Sequence, residues 1–275
     1  MTTSSRRVML TVVIAAAMSL TAAAACAEAS PGATPATPGA ASTTGPSSTG
    51  PSSTGPSHAG SGRGGPSSTL APPTAVDARA RAVGLVDVRT VVPDAALDLR
   101  YATTNNFVGV RLYPANARCL VHESLAPGLR TAAQQLRQRG EILVFWDCYR
   151  PHSVQQKMFE KVPDPAWVAR PGPYSTSHES GRSVDVTLAV RNPNCPAPRR
   201  AAQLCRVDMG TDFDSFTPNA TAYATEGVSA AAQAARARLR QAMAAGGLRV
   251  YAGEWWHFDG PGAAVRRPII DVPLT

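Results

Sequence analysis

An α+β fold, with a central and mainly antiparallel sheet flanked by helices, is what this sequence predicts, and three observations predict it. Two segments, "EILVFWDCY" at 141–149 and "GRSVDVTLAV" at 181–190, are apolar or β-branched runs of strand length. Two others, residues 124–140 and 229–247, carry small and apolar residues at helical spacing and stop on glycine. Strands and helices do not alternate as regular β-α-β units, which disfavours a doubly wound parallel sheet.

In chain order, residues 95–103 alternate apolar and polar side chains and are expected to form a strand. In 124–140, Leu125, Leu129, Ala132, Ala133 and Leu136 share one helical face. The strand at 141–149 follows, then a helix over 153–162 that starts just after Pro151. Next comes the strand after Gly181. Residues 191–225 are expected to be mostly loop. The Ala-rich helix at 229–247 leads into a last strand over 248–258.

Composition divides the chain. All four Trp, six Tyr and six Phe lie beyond residue 80, which marks 80–275 as the folded domain, large enough for one core. Residues 27–79 are rich in Ser, Thr, Gly and Pro, with a repeated five-residue unit in "TGPSSTGPSSTGPS", and are expected to be a disordered linker. Residues 1–26 read as an export signal, with Arg6 and Arg7 ahead of an apolar run ending in small residues. "SRRVML" has the look of a twin-arginine signal, and "AAAC" that of a lipoprotein site at Cys26. Cleavage after Ala27 and an uncleaved membrane anchor are the competing readings. Each places the domain outside the cytoplasm, either lipid-anchored in the envelope or secreted.

Cysteine usage agrees with export. Cys119, Cys148, Cys195 and Cys205 make an even set, which in an oxidising space favours disulfides over metal binding, since no C-x-x-C spacing exists. Three pairings are possible; Cys195–Cys205 and Cys119–Cys148 are preferred. The net charge of +8 rests on Arg, as Lys157 and Lys161 are the only lysines. The arginines are scattered without a basic run, so nucleic acid is not an expected partner. Nothing in the sequence fixes an oligomeric state.

The chemistry gathers in three stretches. In "STSHESGRSVDVTLAV", a strand after Gly181 puts Ser183, Asp185 and Thr187 on one face and Arg182, Val184, Val186 and Leu188 on the other. A carboxylate in a buried strand requires a metal cation, an Arg or several donors. His178, in the small-residue loop before it, is able to share a metal with Asp185; an Arg partner for Asp185 and a surface role for His178 is the plainer alternative. In "GEWWHFDG", His257 supplies a third metal ligand and Glu254 a carboxylate base, with the two Trp as candidate walls of the site. Three positions apart on a flat strand, Glu254 and His257 face opposite ways, so a bend near Gly253 is required. In "DCYRP", Arg150 at a strand end, held by Tyr149 and Pro151, is placed to stabilise an oxyanion.

Together with "NNFVG" at 105–109 and "MGTDFD" at 209–214, these stretches follow the order found in VanX-type D-alanyl-D-alanine dipeptidases, which the chain resembles from about Asp94 to its end. The resemblance implies one Zn²⁺ per chain held by His178, Asp185 and His257, with Glu254 as general base and then proton donor. Arg150 would stabilise the tetrahedral intermediate. Asp214 would hold the substrate's free ammonium group, and Thr176 and Ser177 flank the first ligand. The implied reaction is hydrolysis of the D-Ala-D-Ala dipeptide to two D-Ala. The alternatives are a D,D- or L,D-carboxypeptidase acting on peptidoglycan stems and a non-catalytic wall-binding module. Better-known members of the family act inside the cell, and the export signal departs from them. Vancomycin resistance, wall turnover and nutrient recovery all stay open as roles.

Overall fold

The computed structural model describes residues 75–165, 167–201 and 203–275, so the export signal and most of the expected linker lie outside the described residues. The chain enters through helix α1 (Ala78–Ala82), which Asp77 caps by accepting the Arg79 N–H. Strand β1 (Leu85–Asp87) and the short α2 (Val88–Val91) follow, then β2 (Ala96–Leu97), β3 (Leu120–His122) and α3 (Ala126–Arg137). Strand β4 (Glu141–Asp147), α4 (His152–Lys161) and β5 (Ser183–Val190) build the middle of the domain. The chain closes with β6 (Arg200–Ala201), β7 (Leu204–Arg206), α5 (Ala230–Ala245), β8 (Arg249–Val250) and β9 (His257–Asp259).

Strand β5 is the spine of the main sheet. It pairs antiparallel with β4 along one edge, and along the other with β9 at its start and β7 at its end. Among the described residues, only β2, beside β4, runs parallel to its neighbour. Both faces of β5 are buried, as its β-branched sequence demands. Helices α3 and α5 pack on this sheet and on each other. Leu125, Leu129, Ala132, Ala133 and Leu136 are all buried, which is the face that the helical spacing picks out. Gly128 and Gly246 let the backbones meet: a Cβ on Gly128 would lie 2.2 Å from the Gly246 carbonyl oxygen.

Three elements differ from the sequence expectation. The strand over 95–103 shrinks to two residues, because Asp98 takes its last sheet contact from the Phe145 carbonyl and a 3₁₀ turn over Arg100–Ala102 then buries Arg100 and Tyr101. The strand over 248–258 is instead a hairpin, β8 against β9, whose turn lies at residues 251–256. The loop 191–225 contains a second small hairpin, β6–β7, spanned by the Cys195–Cys205 disulfide. Pairings of two or three residues leave almost no periodicity to read.

Candidate active site

Register brings the site together. In the antiparallel ladder Asp185 of β5 stands opposite His257 of β9 on one side and opposite Asp147 of β4 on the other. The second pairing exists because the β4–β5 register shifts between Phe145 and Asp147, which turns the Asp147 side chain into this row. His178 arrives from the 3₁₀ turn Ser177–Ser180, which Gly181 ends in the left-handed conformation, φ 66°. A side chain at Gly181 would lie 2.5 Å from the Leu85 methyl, so φ and space both demand glycine. The spacing of seven residues between His178 and Asp185 is thus one tight turn plus the start of a strand.

Each histidine has its outer nitrogen committed. His178 Nδ1 lies 2.8 Å from the Cys148 carbonyl oxygen and donates to it. His257 Nε2 lies 3.1 Å from Asp259 Oδ1 and donates there. Both rings therefore turn lone pairs inward: His178 Nε2 and His257 Nδ1 are 3.0 Å apart, and 3.2 and 3.1 Å from Asp185 Oδ1. Three acceptors at one point repel unless a cation sits among them. Tetrahedral bonds of about 2.0–2.1 Å put ligand atoms about 3.3 Å apart, close to the spacing seen. Outer partners of this kind are what fix metal-ligating histidines in place. The residues fit a metal ion, and two imidazoles with one carboxylate suit zinc.

Around this tripod lies a cavity of about 310 Å³ lined by Arg150, Asp214, Glu254 and the three ligands. The turn after Tyr251 supplies the bend that the strand required, with Glu254 N–H donating to the Tyr251 carbonyl at 3.2 Å. It sets Glu254 Oε2 3.9 Å from His257 Nδ1, beside the inward-facing ligand atoms. Burial raises the Glu254 pKa, with His257 pulling it down and Asp185 pushing it up. A carboxylate shifted toward neutrality is suited to take and return a proton. Burial likewise opposes charge on Asp185, and a positive charge among the three ligand atoms, carried on the imidazoles when no metal is bound, is what lowers its pKa below the ordinary carboxylate value.

Arg150 is not held by Tyr149 and Pro151. Tyr149 is buried with its hydroxyl turned away to accept the Val272 N–H. Asp147 grips the guanidinium instead, through Nε at 2.9 Å and Nη2 at 2.7 Å, and Gln155 takes Nη1. Arg150 Nη2 stands 3.9 Å from Asp185 Oδ2, so the aspartate's nearer partners are the two histidines. Trp255 and Trp256 do not wall the site either. Both are buried beneath it, stacked edge-on with Trp146 and Phe213. The aromatic lining is Tyr101, Phe107, Trp167, Phe216 and Tyr251.

Asp214 is set by the two segments at 101–107 and 209–214, which meet here. Tyr101 donates its hydroxyl to Asp214 Oδ2 at 2.9 Å, and Arg100 pairs with Asp212 at 3.0 Å. Buried Arg236 of α5 donates to the carbonyls of Met209, Asn219 and Thr221, pinning both ends of that loop. Burial and the charge of Asp185 raise the Asp214 pKa well above the ordinary carboxylate value, so the site calls for a cation beside it. Asp214 and Ser177 are non-glycine residues with positive φ, 53° and 47°, and both line the cavity. Sequence reasoning missed Asp147, Asp259 and the Glu179–His152 pair (2.5 Å), of which Glu179 also lines the cavity. Asp147 did leave a signal: it is the carboxylate that closes a strand whose residues 142–146 are all apolar.

Cys119 is bonded to Cys148 and Cys195 to Cys205. The first bridge ties the start of β3 to the end of β4, directly beside the site.

Comparison with known proteins agrees with this geometry. Residues 81–275 match the family described as D-ala-D-ala dipeptidase. Relatives include the D-alanyl-D-alanine dipeptidase of Escherichia coli, 33% identical over 180 residues, 66% of this chain and 86% of that protein. The Enterococcus faecium D-alanyl-D-alanine dipeptidase is 28% identical over 64% of this chain and 91% of its own length. A solved vancomycin resistance D,D-pentapeptidase, VanY with Zn(II), aligns with a TM-score of 0.31 and 14% identity, over 55% of this chain and 84% of that one. The chain belongs to the D-Ala-D-Ala dipeptidase family, and so to the zinc metallopeptidases.

Proposed function

We propose that this protein hydrolyses the D-Ala-D-Ala dipeptide, with one Zn²⁺ per chain held by His178, Asp185 and His257. The observation that carries the reading is the inward pair of imidazole lone pairs meeting Asp185 Oδ1, with Glu254 3.9 Å from the His257 ligand atom. When bound, zinc acidifies a water and polarises the scissile carbonyl. Glu254 takes the proton from the attacking water and delivers it to the leaving amine. Arg150, locked by Asp147, presents its guanidinium to the oxygen that gains charge. Asp214 receives the substrate ammonium, which selects a free dipeptide over a longer chain. A cavity of about 310 Å³ is at the small end for ligand sites and fits two residues.

The reading extends to where the protein works. Residues 1–26 direct export and residues 27–79 act as a spacer. The domain then stands in the envelope, lipid-anchored through Cys26 or secreted, with a small dipeptide as partner and no nucleic acid. Two disulfides support an oxidising location. The test is release of D-Ala by the zinc-loaded protein from D-Ala-D-Ala, L-Ala-L-Ala and a stem pentapeptide. Cleavage of the first alone is expected; equal cleavage of the pentapeptide would transfer the assignment to a carboxypeptidase.

A further inference from the structure

We infer that the Cys119–Cys148 disulfide is a positioning device for the metal site, not only a staple of the fold. The inference rests on the metal-site reading above and concerns what orients its first ligand.

The bridge joins the residue before β3 to the residue after β4. Four contacts of the site converge on that short corner. The Cys148 carbonyl accepts the His178 Nδ1–H at 2.8 Å, which fixes the tautomer and turns Nε2 inward. The Cys148 N–H donates to Asp147 Oδ1 at 2.9 Å, and Asp147 Oδ2 in turn holds Arg150. One residue on, Tyr149 N–H donates to the Leu120 carbonyl at 2.7 Å. Two residues on, Arg150 N–H donates to the His178 carbonyl at 3.1 Å. The corner lies just past the ladder's end, because β4 pairs with β5 only as far as Asp147. The β4–β5 ladder therefore stops where the positioning is needed, and the disulfide, together with the Tyr149–Leu120 hydrogen bond, ties the corner to β3 instead. Cys119 is anchored from behind, its carbonyl accepting the Val88 N–H at 2.9 Å. Both cysteines are buried, 0% and 2% exposed, so the bridge is part of the packed corner.

A staple acts on the unfolded chain; a positioning link acts on the bound ligand geometry. The second disulfide separates the two, because Cys195–Cys205 closes its hairpin at the far end of β5, where β7 pairs with Ala189 and Val190. The experiment compares two double variants, Cys119→Ser/Cys148→Ser and Cys195→Ser/Cys205→Ser, with the native protein. A volume-keeping pair, Cys119→Val/Cys148→Ala, serves if the serines prevent folding. Zinc affinity is measured by titrating the metal-free proteins against a chelator of known affinity, at a temperature where all are folded by circular dichroism. Outer-shell partners of a metal ligand are worth roughly 10–100-fold in metal affinity. The Cys119/Cys148 variants are expected to bind zinc at least about tenfold more weakly. At saturating zinc their kcat should stay reduced with KM near native, since Arg150 shares the corner. The Cys195/Cys205 variant should lose thermal stability while keeping native zinc affinity and kcat. Native zinc affinity in a folded Cys119/Cys148 variant would reduce this bridge to a staple. Failure of the native protein itself to bind zinc would instead remove the site reading, and the inference with it.

Discussion

Asp214→Asn isolates the group that would make this enzyme a dipeptidase. The amide has the carboxylate's shape and can still accept the Tyr101 hydroxyl, 2.9 Å away in the native protein. What is lost is the charge, in a place where burial and Asp185 already strain it. A charge-assisted hydrogen bond to the substrate ammonium contributes about 1.5–3 kcal/mol. An acylated or longer substrate puts a neutral amide there and leaves the carboxylate unpaired, a further cost of about 1–3 kcal/mol. The sum, about 2.5–6 kcal/mol, corresponds to about a hundredfold or more in kcat/KM. The native protein should therefore prefer D-Ala-D-Ala over N-acetyl-D-Ala-D-Ala by about that factor. In Asp214→Asn the free dipeptide should fall roughly 10–150-fold, while the acetylated substrate, which no longer meets an unpaired carboxylate, should hold or improve, so the preference collapses. The assay is D-Ala release under kcat/KM conditions for both substrates and both proteins. If Asp214→Asn lowers both substrates equally, Asp214 shapes the pocket and does not read the ammonium.

Three further outcomes test the remaining roles. Glu254→Gln should keep zinc and lose roughly 10²–10⁴-fold in turnover, as expected for a general base. Because the Glu254 pKa is raised above 4.5, activity of the Asp214→Asn variant on the acetylated substrate, from which the Asp214 titration is removed, should fall as pH drops through that raised value. A profile flat to the ordinary carboxylate range would refute the raised pKa, and near-native turnover in Glu254→Gln would exclude Glu254 as the base. Arg150→Met should cost roughly 10²–10³-fold in kcat, and about 3–5 kcal/mol of stability, because buried Asp147 loses its counter-charge. Adding Asp147→Asn should restore much of the stability seen in urea melts but none of the turnover; recovered turnover would make Arg150 structural. Zinc at a thousandfold excess over its Kd should stabilise the native protein by about 4 kcal/mol, roughly 8–16 °C in Tm for a domain of this size. His257→Ala should abolish that shift, and a shift of native size in the variant would break the tripod.

How much of this was legible depended on whether a feature is local. Helix α3 announced its buried face through Leu125, Leu129 and Leu136, and β5 through its β-branched run. The motif residues His178, Asp185, Glu254 and His257 were readable because a resemblance supplied the order of motifs that spacing alone left ambiguous. Asp147 was not readable as the holder of Arg150, since that role depends on a register shift in β4. The outward partners of the histidines were hidden for a similar reason. One is a backbone carbonyl, at Cys148, which no side-chain pattern reveals. The tryptophans misled because bulk next to a motif is equally at home under a site and around it. Their burial follows from Trp146 and Phe213, which are remote in sequence.

The charge of the chain finds its explanation in the same geometry. A net charge of +8 suggests an anionic partner, yet the cavity is acidic: Asp185, Asp214, Glu179, Glu254 and Asp259 line it against the single guanidinium of Arg150. Many of the arginines are spent internally. Arg118 pairs with Asp87, Arg238 with Glu141, Arg100 with Asp98 and Asp212, and Arg236 with three carbonyls. They fix loops and strand ends and do not form a basic surface. The cavity they frame is short of positive charge, and under the proposed function a dication at the tripod and an ammonium at Asp214 would be the two cations that make up the shortfall. Burial first and the charge of Asp185 second raise the pKa of Asp214. A metal that neutralised Asp185 would therefore lower the cost of ionising Asp214, and under the proposed function metal binding would favour the ammonium. Dipeptide affinity should accordingly depend on zinc even for an inhibitor that never touches the ion.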